Sequence, residues 1–357
     1  MEMELEKLLR QIGPEHTAAR EAAHRHWNNC AKPLGGLGLL ETALEDIAAL
    51  TGSANMDLRK RAVLVLCADN GVVAQGVTQS PSSVTGIVTA NLAAGRTSVC
   101  RMAAVADCRV VPVDMGVLDF PETAGVLSRR IGNGTADMTQ GPAMTRRQAE
   151  QAVLTGMDLV REQQARGVRL LATGEMGIGN TTTSSAVASV LLDRPAEEMT
   201  GRGAGLSDEG LARKVAAIRK ALEVNRPDPA DVLDVLRKVG GFDIAGLCGV
   251  FLGGALYGVP VLMDGFISAV AALCALRLCP LAGKAMLASH VSAEPAGALV
   301  LEALGKRPLI TAGMHLGEGT GAVAAIPLLD MACAVYHGCY TFHDGGIEAY
   351  QPQGGTT

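Results

Sequence analysis

The sequence predicts an α/β fold: a doubly wound parallel sheet with a small helical domain built from both termini. Three observations predict it. Apolar runs of β type recur along the chain, and each leads to an acidic or hydroxyl residue close to glycine. The runs are continuous rather than alternating, as strands buried on both faces require. Helical patterns separate them, and strands alternating with helices wind a parallel sheet.

Taken in order, the run 62–68 ends in Asp69-Asn70-Gly71, and 109–113 ends in Asp114-Met115-Gly116. The run 168–173 ends in Gly174-Glu175-Met176-Gly177, 259–263 in Asp264-Gly265, and 285–288 in Ser289-His290-Val291-Ser292. A sixth run, 308–312, leads less regularly to Glu318, which is therefore expected beyond the end of a buried strand. Helical patterns cover 90–106, 145–164, 211–224 and 293–304. In such a sheet the carboxyl ends of the strands face the ligand crevice. Asp69, Asp114, Glu175, Asp264, Ser292 and Glu318 are thus expected on one rim. Residues 14–28, 37–50 and 320–338 also read as helices. The expected division is a small helical domain from 1–50 plus 331–357 and a large α/β catalytic domain, 51–330.

Composition narrows the function. Hydrophobic residues make up 48 % of the 357 and aromatics only 3 %, so the core is built from aliphatic side chains and close backbone contacts. A net charge of −5, without Lys/Arg runs interleaved with aromatics, argues against nucleic acid as a partner. Nine cysteines include no CxxC pair and no Cys/His cluster at zinc spacing, so no metal is implied. Reduced core thiols point to the cytoplasm. The acidic, amphipathic N-terminus does not read as a signal peptide. The uncharged stretch 244–263 is long enough to cross a bilayer. Its five glycines and Pro260 instead suit a helix of small residues, a break and a short buried strand.

Two glycine-rich segments could hold an anion. Gly174-Glu-Met-Gly-Ile-Gly-Asn-Thr-Thr-Thr follows a run and opens a helix, whose N-terminus favours phosphate. It lacks the Lys-Ser/Thr ending of a P-loop and the spacing of a dinucleotide fingerprint. A strand–turn–helix corner with a hydroxyl cap fits it equally. Gly201-Arg-Gly-Ala-Gly is the second, and Lys214 on the following helix adds a point charge unless it is merely solvated. Glu318, between Gly317 and Gly319, reads either as a partly desolvated general base or as a helix-capping acid.

Together these segments resemble the nicotinate-nucleotide:dimethylbenzimidazole phosphoribosyltransferases of cobamide assembly. The matches run in order from Lys32-Pro-Leu-Gly-Gly-Leu-Gly-Leu-Leu-Glu41 to Leu316-Gly-Glu-Gly-Thr-Gly-Ala322. Between them lie Ala68-Asp-Asn-Gly-Val, Ser80-Pro-Ser-Ser-Val-Thr85, the Gly174 loop, Gly240-Gly-Phe-Asp-Ile-Ala, Leu262-Met-Asp-Gly-Phe266 and Ser289-His-Val-Ser-Ala-Glu294. The resemblance implies a Rossmann-like large domain and a homodimer. It implies transfer of 5-phosphoribosyl from nicotinate mononucleotide, a substrate rather than a cofactor, to a lower-ligand base. By the same resemblance Glu318 is the base. Glu175, Met176, Gly177, Ile178, Gly179, Asn180, Gly203, Lys214, Asp264 and Ser292 hold phosphate and ribose, and Ser80, Val88 and Leu316 border the acceptor.

The chain departs from the family at three of these places. It carries Asn70 where His is usual, Gly36 where Ser is usual, and Val88 where Gln is usual. That Gln can hydrogen-bond a benzimidazole nitrogen and valine cannot, so a phenol acceptor and a heterodimer with a paralogous subunit enter as expectations. Two other readings stand beside this one: a silent partner subunit and a nucleotide-dependent oxidoreductase.

Overall fold

The computed structural model describes residues 2–350, so the expected terminal region beyond 350 lies outside it. Six strands form one all-parallel sheet: β1 (Arg61–Ala68), β2 (Arg109–Gly116), β3 (Leu127–Ser128), β4 (Leu170–Met176), β5 (Val261–Met263) and β6 (Met286–Ala288). Their order is β3-β2-β1-β4-β5-β6. The chain winds outward in one direction through β2 and β3, then returns to β1 and winds the other way. The reversal lies between β1 and β4, where a doubly wound sheet opens its ligand crevice.

The apolar runs are continuous because β1 is buried along its whole length, with a helical layer on each face. Ala62, Leu64 and Leu66 join one hydrophobic cluster with the helices Arg146–Ala165 and Phe242–Tyr257. Val63, Val65 and Cys67 join the other, with Trp27, Leu44, Val323 and Ile326. The helices Thr17–Asn29, Leu39–Thr51 and Thr320–Gly338, contributed by both termini, therefore form a layer on the sheet. The boundary expected after residue 330 falls inside the continuous helix Thr320–Gly338.

Backbone proximity replaces aromatic bulk in the other layer. A Cβ added to Gly156 would lie 1.9 Å from the carbonyl oxygen of Gly246, and one on Gly249 would lie 1.9 Å from that of Val153. Only glycine lets these two helices approach so closely. The stretch 244–263 folds as the helix Phe242–Tyr257, a left-handed turn at Gly258 and the buried strand β5. Thr320–Gly338 is long and apolar enough to cross a membrane by composition, but Ala322, Val323, Ile326 and Leu329 bury its inner face against the sheet.

Three local expectations change. The pattern 90–106 divides into Ser83–Ala93 and Ser98–Val105, because left-handed Gly95 ends the first helix before the second begins. The two-residue β3 carries too little pattern to be read from sequence. The run 308–312 is no strand: it follows the extension of β6 and pairs only at Ile310 with His290. Glu318 therefore stands in a loop, after an irregular and largely exposed approach, and does not end a strand.

Candidate active site

A cavity of about 1090 Å³, counting its open mouth, lies over the carboxyl ends of β4, β5 and β6. Parallel strands of one sheet deliver Glu175, Asp264 and the 290–292 segment to the same edge. The Glu318 loop then crosses over them.

One end suits an anion. Gly179, at φ +93°, turns the chain from β4 into the helix Asn180–Leu192 and so aims that helix's N-terminus at the cavity. Lys214 is fully buried there, on the helix Asp208–Asn225. Its Nζ donates to Thr181 Oγ1 at 2.8 Å and to the Gly201 carbonyl at 3.0 Å. Burial pulls the ammonium down to about 8, opposed by the nearby Glu294 carboxylate. Two of its three protons are used within the chain, which leaves one for a ligand. Gly203, left-handed at φ +54°, brings the second glycine-rich loop beside the Lys214 ammonium.

Glu318 lines the same cavity. Gly317, Glu318 and Gly319 all lie at positive φ, +87°, +61° and +94°, a run that only a fully braced loop sustains. The brace is Asp264. Its Oδ2 accepts the N–H of Gly319 at 3.1 Å, and its Oδ1 accepts those of Gly321 and Ala322 at 2.8 and 3.0 Å. Gly174 of β4 completes it, since a Cβ there would meet the Glu318 carbonyl oxygen at 2.4 Å. The half-buried Glu318 carboxylate accepts the Val99 N–H at 3.1 Å, in the first turn of Ser98–Val105. It caps a helix, but a distant one, while Asp264 caps the helix that follows it.

Glu175 lines it too, buried at the end of β4. Burial is the largest influence and pushes its carboxyl up to about 8, with Asp243 and Asp264 adding to the rise. Asn180 bridges it to buried Asp243, donating its Nδ2 protons to Glu175 and, at 3.0 Å, to Asp243 Oδ2. Burial raises Asp243 to about 6. At neutral pH Glu175 holds a proton and presents a neutral acid to the cavity.

The cavity brings together Glu175, Met176, Gly177, Ile178, Gly179 and Asn180 with Gly203, Lys214, Asp264, Ser292, Leu316 and Glu318. Leu316 is 57 % exposed at the lip. Ser80 does not line the cavity, although Gln79 beside it does. Val88 lies half-buried on Ser83–Ala93, packed toward the core and away from the cavity wall. Asp69 and Asp114 stand at the carboxyl ends of β1 and β2, as expected, but do not line the cavity. Asp69 accepts Thr85 Oγ1 and the Leu118 N–H, and Asp114 accepts the Val117 N–H and pairs with Arg130, so local structure consumes both. Thr181 was not expected here, although it lies inside a glycine-rich segment that sequence singles out, nor was Asp243, which stands behind Asn180; His290, which sequence allows either at the rim or as a structural residue, lines the cavity. Among the described residues, no group of three or more His, Cys, Asp or Glu side chains could hold a metal ion.

Known proteins share this architecture. A protein of Acetivibrio thermocellus named nicotinate-nucleotide--dimethylbenzimidazole phosphoribosyltransferase is 47 % identical over 345 residues, 97 % of this chain and 98 % of its own. One of the same name from Ruminiclostridium cellulolyticum is 45 % identical over 350 residues, 98 % and 99 % of the two chains. The crystal structure of CobT from Thermus thermophilus superposes with a TM-score of 0.88 at 40 % identity, covering 93 % of this chain and all of that one. A family model described as phosphoribosyltransferase matches residues 12–347. With this match over nearly the whole chain and the same doubly wound sheet, the chain belongs to this phosphoribosyltransferase family.

Proposed function

We propose that the chain transfers 5-phosphoribosyl from nicotinate mononucleotide to an aromatic lower-ligand base, releasing nicotinate and an α-riboside 5′-phosphate. The observation that carries this is one cavity lined by Lys214 and a helix N-terminus together with a braced carboxylate. The phosphate lies against Lys214, Thr181 and the Gly203 loop. The pyridinium at C1′ is a cationic leaving group, so the breaking C1′–N bond returns its electron pair to nicotinate without an added acid or metal. The acceptor nitrogen attacks from the opposite face, which turns a β-linked donor into an α-linked product. Its proton passes to Glu318. Glu175, neutral at pH 7, adds no negative charge beside the donor phosphate.

A benzimidazole acceptor follows from the names of the relatives. A phenol acceptor is the second reading, suggested by the sequence departure at Val88, although that side chain packs against the core and does not line the cavity. A phenol brings one hydroxyl, and Glu318 alone serves it. The proposed enzyme works in the cytoplasm as a homodimer or beside a paralogous subunit, with no cofactor. Purified protein given nicotinate mononucleotide and equal amounts of dimethylbenzimidazole and a phenol tests the acceptor. Exclusive ribosylation of dimethylbenzimidazole removes the phenol reading, and no transfer to either removes both.

A further inference from the structure

His290 belongs to no role assigned above. It is 4 % exposed, follows β6, and lines the cavity beside Gly265 and Ser292. Its ring lies against Gly321, where an added Cβ would sit 1.9 Å from Nδ1, so the imidazole is held in one orientation by the Glu318 loop.

The protonation of that ring follows from its neighbours. The Ser289 hydroxyl donates its single proton to the Met263 carbonyl, which can only accept. Ser289 Oγ must therefore accept from His290 Nδ1, 3.1 Å away, and Nδ1 carries the ring proton. Burial lowers the imidazole's affinity for a second proton, opposed by Asp264. Nε2 is then a bare lone pair. Among the described residues it has no hydrogen-bond partner, and it is not among the polar atoms sealed from solvent. Nε2 lies 3.4 Å from the point where a Gly265 Cβ would stand, and Ser292 Cβ lies 3.6 Å from the same point. Ser292 Oγ accepts the Glu294 N–H at 3.3 Å and keeps its own proton to give.

An acceptor nitrogen and a donor hydroxyl on two residues that line one cavity around Gly265 fit a ligand group that both donates and accepts, namely an alcohol. We propose that His290 Nε2, with Ser292, binds a ribose hydroxyl of the nucleotide donor and selects ribosyl over deoxyribosyl donors. This rests on the donor reading given above. It needs only Gly265, which leaves the approach open, and the Ser289–Met263 relay, which fixes the tautomer.

Equilibrium binding without acceptor tests it, using nicotinate mononucleotide and its 2′-deoxy and 3′-deoxy analogues. Wild type should bind one analogue about tenfold or more weakly than the ribonucleotide, the loss expected for one hydrogen bond that leaves a buried partner unmet. His290→Leu should bind the ribonucleotide no better than that analogue. His290→Gln, which returns an acceptor oxygen, should restore part of the difference. Equal affinity of wild type for all three ligands overturns the inference without recourse to a variant, and so does full discrimination by His290→Leu. Failure of wild type to bind nicotinate mononucleotide itself overturns the donor reading and this inference together.

Discussion

Replacing Asp264 with asparagine tests whether the strand-end acid acts on substrate or on the Glu318 loop. The carboxylate accepts three backbone N–H groups, two at Oδ1 and one at Oδ2. Asparagine keeps one oxygen. Its best rotamer retains the bonds to Gly321 and Ala322 and turns an NH2 toward the Gly319 N–H, exchanging a bond for a clash of donors. A hydrogen bond to a charged group contributes about 1.5–3 kcal/mol, and the lost charge at the N-terminus of Thr320–Gly338 adds roughly 0.5 kcal/mol. Gly319 adjoins Glu318, so the lost bond frees the left-handed backbone that aims the Glu318 side chain, the proposed base. A displacement of about 1 Å at a reacting group costs on the order of 100-fold in rate. Asp264→Asn should therefore lower kcat by roughly 10- to 100-fold, with KM for nicotinate mononucleotide within about threefold of wild type. Thermal unfolding should fall by several degrees. Steady-state kinetics at saturating acceptor measure both constants. A large rise in KM with kcat preserved would refute the bracing argument and make Asp264 a ligand contact.

Four further outcomes follow from the site. Lys214→Met should raise KM for nicotinate mononucleotide by about 100-fold or more, by removing a buried charge-assisted bond. In wild type the same KM should rise as pH passes upward through about 8, where Lys214 loses its proton; initial rates from pH 6 to 9 read this. Glu175 has a folded pKa of about 8, above its unfolded value, so the folded state holds the extra proton and stability falls as pH rises between the two. Glu175→Gln, which cannot ionise, should match wild type in denaturant unfolding near pH 4.5 and exceed it by a few kcal/mol at pH 8. Gly174→Ala should push against the Glu318 carbonyl and lower kcat tenfold or more while nicotinate mononucleotide still binds, a split visible by comparing turnover with equilibrium binding.

Much of the fold is legible from sequence because burial on both faces leaves an unbroken apolar signature, as in β1. Where pairing is slight, the signature fails. The run 308–312 has the apolar residues of a strand, but bonds to its neighbour irregularly and pairs at one residue. The anion end is half legible. The glycines and hydroxyls of 174–183 announce a helix N-terminus, whereas the burial of Lys214 depends on Thr181 and Gly201 arriving from elsewhere. Asp69, Asp114 and Asp264 look alike as strand-end acids. Only the chain's return 55 residues after Asp264 decides that this one holds the Glu318 loop. His290 is a single letter in a serine-rich segment until the hydroxyl of Ser289 fixes its tautomer.

The central claim is that Glu318 removes the acceptor's proton, and Glu318→Gln tests it most directly. Glutamine keeps the size of the side chain and an oxygen for the Val99 N–H, so the loop and the first turn of Ser98–Val105 stay in place. Single-turnover formation of α-riboside phosphate, with enzyme in excess over nicotinate mononucleotide, should be slower by about 100-fold or more, as removal of a general base predicts. Binding of nicotinate mononucleotide, measured separately, should remain near that of wild type. A variant that forms product within a few-fold of the wild-type rate would contradict the assignment.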